Sequence, residues 1–134
     1  MAKRVRSKIK EVIDKAKGEG AAFSFTTDIW SSRANDSYIS LTAHFLVNFE
    51  RQNIVLNVAS FNGQHTAENI SAKIGTLLQS WGFDEGDVFL VLRDNAANMR
   101  AGFRLSGLDS FGCLAHTFQV VRGSCDSCLI HLLL

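Results

Sequence analysis

Residues 23–49 read FSFTTDIWSSRANDSYISLTAHFLVNF, and this stretch decides the fold. Phe23 to Trp30 is rich in aromatic, β-branched and threonine side chains, which predicts a strand. Ser31 to Ser37 is a polar connection. Tyr38 to Phe49 then alternates. Ile39, Leu41, Ala43, Phe45, Val47 and Phe49 share one face, and Tyr38, Ser40, Thr42, His44, Leu46 and Asn48 share the other, as in a half-buried strand. The spacing predicts a turn at Glu50–Asn53 and a third strand over Ile54–Phe61. Three strands with short links imply an antiparallel meander.

Working outward, Asn62 to His65 break the sheet. Thr66 is placed to cap a helix running to about Trp81, with Glu68 in its electropositive first turn and Gly82 ending it. Its core face is Ala67, Ile70, Ile74, Leu77, Leu78 and Trp81. Val88 to Leu92 is a continuous apolar run, as expected of a strand buried on both faces. Asp94 follows. A short helix over about 96–105 faces Met99 and Phe103 inward, Phe111–Leu114 is a fifth strand, and His116–Val121 starts a further helix. Before the first strand, Val5, Ile9, Val12, Ile13 and Ala16 trace one face of a helix over 3–17. The order β-β-β-α-β-α-β-α, with a helical crossover into the fourth strand, predicts an α/β fold with a mixed sheet.

A chain of 134 residues, 46% hydrophobic and 20% charged, is one ordinary globular domain. No apolar run is long enough to cross a membrane, and no apolar segment follows the basic start as in a secretory signal. Three cysteines, all after residue 112, do not make a disulfide framework, so an intracellular, reducing setting is expected. The net charge of +1 hides an asymmetry. Residues 1–17 carry seven Lys/Arg against two acids, and the remainder carries seven against eleven. A uniformly basic nucleic-acid binder is excluded. Lys3, Arg4, Arg6, Lys8 and Lys10 are the candidate contacts to DNA phosphates, weighed against a merely solvated helix face.

Two acids sit where acids are costly. Asp28 lies inside an apolar strand and Asp94 just past the end of a buried one. A lone buried carboxylate needs donors, a cation or a metal. If the two strands are neighbours, both carboxylates converge on one point. An oxygen-only ligand set favours magnesium or manganese, and a two-ion site clamps the attacking and leaving oxygens of a phosphodiester. The structural alternatives are a helix cap for Asp94 and local hydroxyls or amides for Asp28. Trp30 and Trp81 read as core or sheet-edge packing, His44 as a surface residue, and Asp84, Glu85 and Asp87 as a solvated loop.

Four blocks in order, TTDIWSSRANDSYISLTAHF (26–45), FNGQHTAENI (61–70), RDNAANM (93–99) and CLAHTFQ (113–119), resemble hAT-superfamily transposases. The nearest likeness is to the BED-zinc-finger-containing, transposase-derived group, from about residue 5 to about 121. The resemblance implies a ribonuclease-H-like core with an acidic triad that binds two divalent ions, Mg2+ or Mn2+. It assigns Asp28 and Asp94 to the first two acids, Cys113 and His116 to a C-x-x-H motif near the active site, and His65 to the histidine before the helix that follows the third strand. The family's third acid is a distant glutamate, which these 134 residues do not reach. The sequence therefore reads as a truncated core. A basic N-terminal helix (1–20) precedes it, the partial core follows (21–121), and a divergent tail (122–134) ends it as a splice end, frameshift or decayed copy would.

The expected function is a hAT-type transposase fragment lacking one catalytic acid. The alternatives are a non-catalytic, domesticated DNA-associated or protein-interaction module, and a small zinc module built on Cys113, His116, Cys125 and Cys128, for which the tail's divergence makes zinc the weaker cofactor. By resemblance the partner is DNA and the compartment the nucleus. An uncovered sheet face would leave an apolar patch open to self-association.

Overall fold

A computed structural model describes residues 2–115. The helix predicted at 116–121 and the tail at 122–134 lie outside the described residues. The elements run α1 (Ala2–Gly18), β1 (Phe23–Ser31), β2 (Ser37–Val47), β3 (Glu50–Ser60), α2 (Ala67–Gln79), β4 (Val88–Arg93), α3 (Ala97–Ser106) and β5 (Ser110–Gly112). A single 3-10 turn over Glu85–Asp87 precedes β4.

The strands form one mixed sheet in the order β3-β2-β1-β4-β5. The β1–β2 and β2–β3 pairs are antiparallel, and the β1–β4 and β4–β5 pairs are parallel. Each parallel step is made through a helix, as a crossover requires. The odd-numbered positions Phe23 and Phe25 of β1, Ile39, Leu41, Ala43 and Phe45 of β2, and Val91 of β4 are buried. They share a core with Ile13 and Ala16 of α1, Ile70, Ile74, Leu77 and Leu78 of α2, and Met99 and Phe103 of α3. All three helices therefore pack on one face of the sheet. The helix set apart at 1–20 belongs to this same core. Phe83 stands edge-on to both Phe23 and Phe25, with ring centroids 5.0 and 5.1 Å away, a favoured aromatic geometry.

Basic residues of α1 hold the end of α2. Arg6 donates to the Ser80 carbonyl at 2.8 Å and lies over the Trp81 ring. Lys17 donates to the Gly82 carbonyl at 2.7 Å, and Lys10 reaches the Trp81 carbonyl at 3.5 Å. Cations there answer the unpaired carbonyls and the negative end of the helix dipole. Helices α2 and α3 cross closely because position 102 is glycine. A Cβ on Gly102 would stand 2.8 Å from Ile70 Cγ2 and 3.1 Å from the Ala67 carbonyl oxygen.

Several expectations are corrected. The second turn falls at Asn48–Phe49, not at Glu50–Asn53, so β3 starts earlier. Both residues have positive φ, 50° and 65°, the two-residue hairpin geometry that matches strand twist. Phe49, assigned to the buried face, is consequently 99% exposed. On α1, Val5 and Val12 are exposed and only Ile9, Ile13 and Ala16 turn to the core. Strand β4 is buried on one face rather than two: Leu92 on the other is 42% exposed. The acidic loop is not simply solvated, because Asp87 pairs with Lys17 at 2.7 Å and accepts from the Asp84 amide at 2.8 Å.

Those two interactions, the Asp84 amide first and the Lys17 ammonium second, hold the Asp87 carboxyl below its ordinary value of 3.8. A lowered folded value adds stability above the unfolded value and loses it as pH falls. Wild type should exceed Asp87→Asn in urea midpoint by a constant margin at neutral pH. The margin should shrink once pH drops below 3.8, and a margin independent of pH would contradict the pairing. Gly102→Ala should lower stability by about 1 kcal/mol or more, overpacking outweighing the gain in helix propensity. Urea unfolding measures it, and an unchanged midpoint would contradict the close crossing.

Candidate metal centre on the open sheet face

The even-numbered positions of β1 face away from the helices. In the β1–β4 ladder, Ser24 pairs with Leu90 and Thr26 with Leu92. Register neighbours in a sheet share a face, so Asp28, two residues beyond Thr26, has the parity of this face, while the ladder ends at Thr26–Leu92 and Asp94 follows the last residue of β4. Across β2, Asp28 pairs with Ser40, and Ser40 in turn with Val58 of β3. One row of the open face thus runs Asp28–Ser40–Val58.

The register of β4 depends on a bulge. Phe23 pairs with Val88 but Ser24 with Leu90, so Phe89 is the extra residue. It is 69% exposed. Without it, the later residues of β4 would meet β1 in the opposite phase.

Asp28 is exposed rather than buried. The expected burial cost is absent because no helix among the described residues covers this face. Asp28 has no hydrogen-bond partner among the described residues. Asp94 is half-buried, and its Oδ1 accepts from the Ala96 amide at 2.9 Å. That bond fixes the carboxylate at the start of α3, whose N-cap residue Ala96 has no capping side chain. It engages one of the two oxygens.

The loop carrying Asp94 is clamped to β5. The Cys113 amide donates to the Arg93 carbonyl at 2.6 Å, and Asn95 Nδ2 donates to the Cys113 carbonyl at 3.3 Å. The Asn95 side chain lies where a Cβ on Gly112 would be. On the other side, Asn98 Nδ2 donates to the His65 carbonyl at 3.0 Å, and the His65 ring stacks on Phe61 at 4.8 Å. Cys113 is therefore tied through its backbone to the Asp94 loop, and His65 through its carbonyl to the first turn of α3. His116, Cys125 and Cys128 lie outside the described residues. Among the described residues no group of three His, Cys, Asp or Glu side chains is placed to hold a metal.

Two features of the open face escape sequence reasoning. His44 Nδ1 donates to Asn53 Oδ1 at 2.7 Å, leaving Nε2 to accept from the Thr26 hydroxyl at 3.0 Å. Trp30 is 40% exposed and stacks on Tyr38 at 5.8 Å, so it is not core, whereas Trp81 is buried with its Nε1 donating to Asn57 Oδ1 at 2.6 Å. Alternation placed His44 and Tyr38 on one face but did not give their cross-strand partners. Of the five basic candidates, Lys3, Arg4 and Lys8 are exposed on α1, while Arg6 and Lys10 are engaged at the end of α2.

A family model described as the ZBED1 RNase-like domain matches residues 26–107, more than half of the chain and both acids. The chain belongs to that family. It is a hAT-derived, transposase-like RNase-like domain, and the mixed five-stranded sheet fits a truncated ribonuclease-H-like core. The Hobo transposase of Drosophila melanogaster is 31% identical over 122 residues, covering 90% of this chain and 18% of that protein. The protein tpeD of Talaromyces stipitatus, whose name assigns it to transcriptional regulation, is 28% identical over 105 residues, covering 72% of this chain and 12% of tpeD. The RNase-like domain thus spans under a fifth of each relative. None of its described helices is long and apolar enough to cross a membrane.

In this RNase-like domain, Gly112→Ala should displace Asn95 and loosen the Asp94 loop. The amide resonances of residues 94–96 should move while those of α1 stay in place. Unchanged shifts at 94–96 would contradict the clamp.

Proposed function

We propose that Asp28 and Asp94 hold divalent magnesium or manganese, and that the domain carries two of the three carboxylates with which a hAT-type transposase cuts and joins DNA. The observation that supports this reading is the β1–β4 register, whose continuation past Thr26–Leu92 would bring the two acids together on the face free of helices. The donor set fits such an ion. Both ligands are hard oxygens, Asp28 lacks a competing partner among the described residues, and Asp94 keeps one oxygen uncommitted. When bound, divalent ions in such a site activate the attacking oxygen and stabilise the leaving one. The chain's own part is to position. The Ala96 amide orients Asp94, the sheet fixes Asp28, and the open face lets a phosphodiester approach.

The domain works on DNA in the nucleus, consistent with relatives named as a transposase and a transcriptional regulator. In these 134 residues, the pair takes up metal. A second reading, a non-catalytic DNA-associated or protein-interaction module, draws on the likeness to tpeD. The two readings differ in whether the carboxylate pair still takes up metal.

Calorimetric titration with Mn2+ should show saturable binding in the wild type, weakened at least tenfold in Asp28→Asn. Plasmid DNA incubated with the chain and Mn2+ should stay supercoiled. Metal affinity unchanged by Asp28→Asn would remove the site, and robust nicking would remove the assigned incompleteness.

A further inference from the structure

Strand β3 is the outer strand of the sheet, paired with β2 on one side and with no described strand on the other. It is 11 residues long, whereas β5, at the opposite edge, has three. An open strand edge is a row of unpaired amides and carbonyls, and folded proteins blunt it with charges, proline or brevity. Gln52–Ser60 of β3 carries no charged residue and no proline. The Phe61 amide donates to the Ser37 carbonyl at 2.7 Å, so Phe61 faces β2. Opposed residues of an antiparallel pair alternate between bonded and unbonded positions. Ser60 and Val58 therefore follow with Val58 and Ser60 amides and carbonyls turned outward, to the free edge.

A bulge interrupts this phase. Leu41 pairs with Asn57 but Thr42 with Val55, which leaves Leu56 as the extra residue of β3. Val55 and Val58 lie three positions apart, yet their partners Thr42 and Ser40 lie two apart on β2. Both valines therefore share the open face, and both turn their backbone groups outward. Each is 61% exposed. A straight strand laid along this edge matches it on one side of Leu56 and falls out of phase on the other. A second β3, running antiparallel about a two-fold axis, carries the same extra residue and stays in phase throughout. Val55 then meets Val58 of the second copy, Asn53 meets its Ser60, and Ile54 meets its Ala59.

We propose that β3 pairs edge to edge with the β3 of a second copy of this chain, in the register that sets Val55 opposite Val58. The bulge selects this occupant, because only a strand with the same extra residue follows the edge past Leu56. Over Asn53–Ser60 no charge faces another, and the outward-facing residues of each pair exchange their backbone hydrogen bonds. The valines of both copies gather on the open face across the axis, where β-branched cross-strand pairs add packing. The contact is isologous, so it closes as a dimer, with one sheet continuing through both copies. It needs neither metal nor DNA and stands apart from the function proposed above.

Sedimentation velocity of the full chain over a concentration series reads the association. Wild type should pass from monomer to dimer as concentration rises, and the Val58 and Ser60 amides should exchange more slowly with solvent in the dimer. Val55→Glu and Val58→Lys, both at exposed positions, should each weaken dimerisation about tenfold or more, since each buries an unpaired charge among the valines. Combined in one chain they should restore it, because the register sets position 55 of one copy against position 58 of the other. Leu46→Lys, at an exposed position of β2 away from the edge, should leave the dimer unchanged. A wild type that stays monomeric, with Val58 and Ser60 amides exchanging at one rate throughout, would overturn the pairing. Association weakened by Leu46→Lys but not by the edge variants would move the contact to the sheet face and overturn it as well. A combined variant no tighter than the single ones would contradict the register.

Discussion

The parallel pairing of β1 with β4 is the constraint on which the rest depends. It fuses Phe23, Phe25 and Val91 into the core and, in the same register, gives Asp28 the parity of the opposite face, where the proposed carboxylate pair would form. Side chains alternate with a period of two, so a one-residue slip would exchange the faces. Such a slip would expose buried aromatics, each worth about 1.5–3 kcal/mol of burial, and would desolvate carboxylates at several kcal/mol per ion. The core thus fixes which face Asp28 occupies. The bulge at Phe89 sets the phase of β4, which gives an exposed phenylalanine a role unrelated to packing.

Charge is distributed by the same logic. The excess of cations in residues 1–17 looks like a phosphate-binding helix in the sequence, yet Arg6, Lys10 and Lys17 are engaged by the carbonyls that end α2 and by Asp87. Lys3, Arg4 and Lys8 stay exposed on the same helix outside these contacts. Which cations are already paired decides what a polyanion can meet.

The fold was largely legible because its periods are clean. Alternation from Ile39 to Phe45, the helical spacing of Ile70, Ile74 and Leu77, and the Thr66 cap all recur in the structure, where Thr66 Oγ1 accepts from the Asn69 amide at 3.3 Å. The misses share one cause. A period tells which residues share a face, not what covers that face. Asp28 and Leu92 were therefore expected to be buried, and Phe49 was drawn inward because its parity matched although the chain turns at Asn48. Asp28 and Asp94 could be singled out as acids in apolar settings. The Asn95–Gly112 clamp and the Thr26–His44–Asn53 chain could not, because each joins strands through tertiary register rather than local spacing.

The central claim, that two carboxylates from neighbouring parallel strands meet at one cation, is tested most directly by paramagnetic broadening. Substoichiometric Mn2+ added to the labelled chain should broaden the amide resonances of residues 27–29 and 93–95 together, with those of Ser40 across the row. The resonances of α1 and of the Asn48–Phe49 turn should stay sharp. Broadening at one acid without the other, or uniform broadening over the surface, would contradict a shared site.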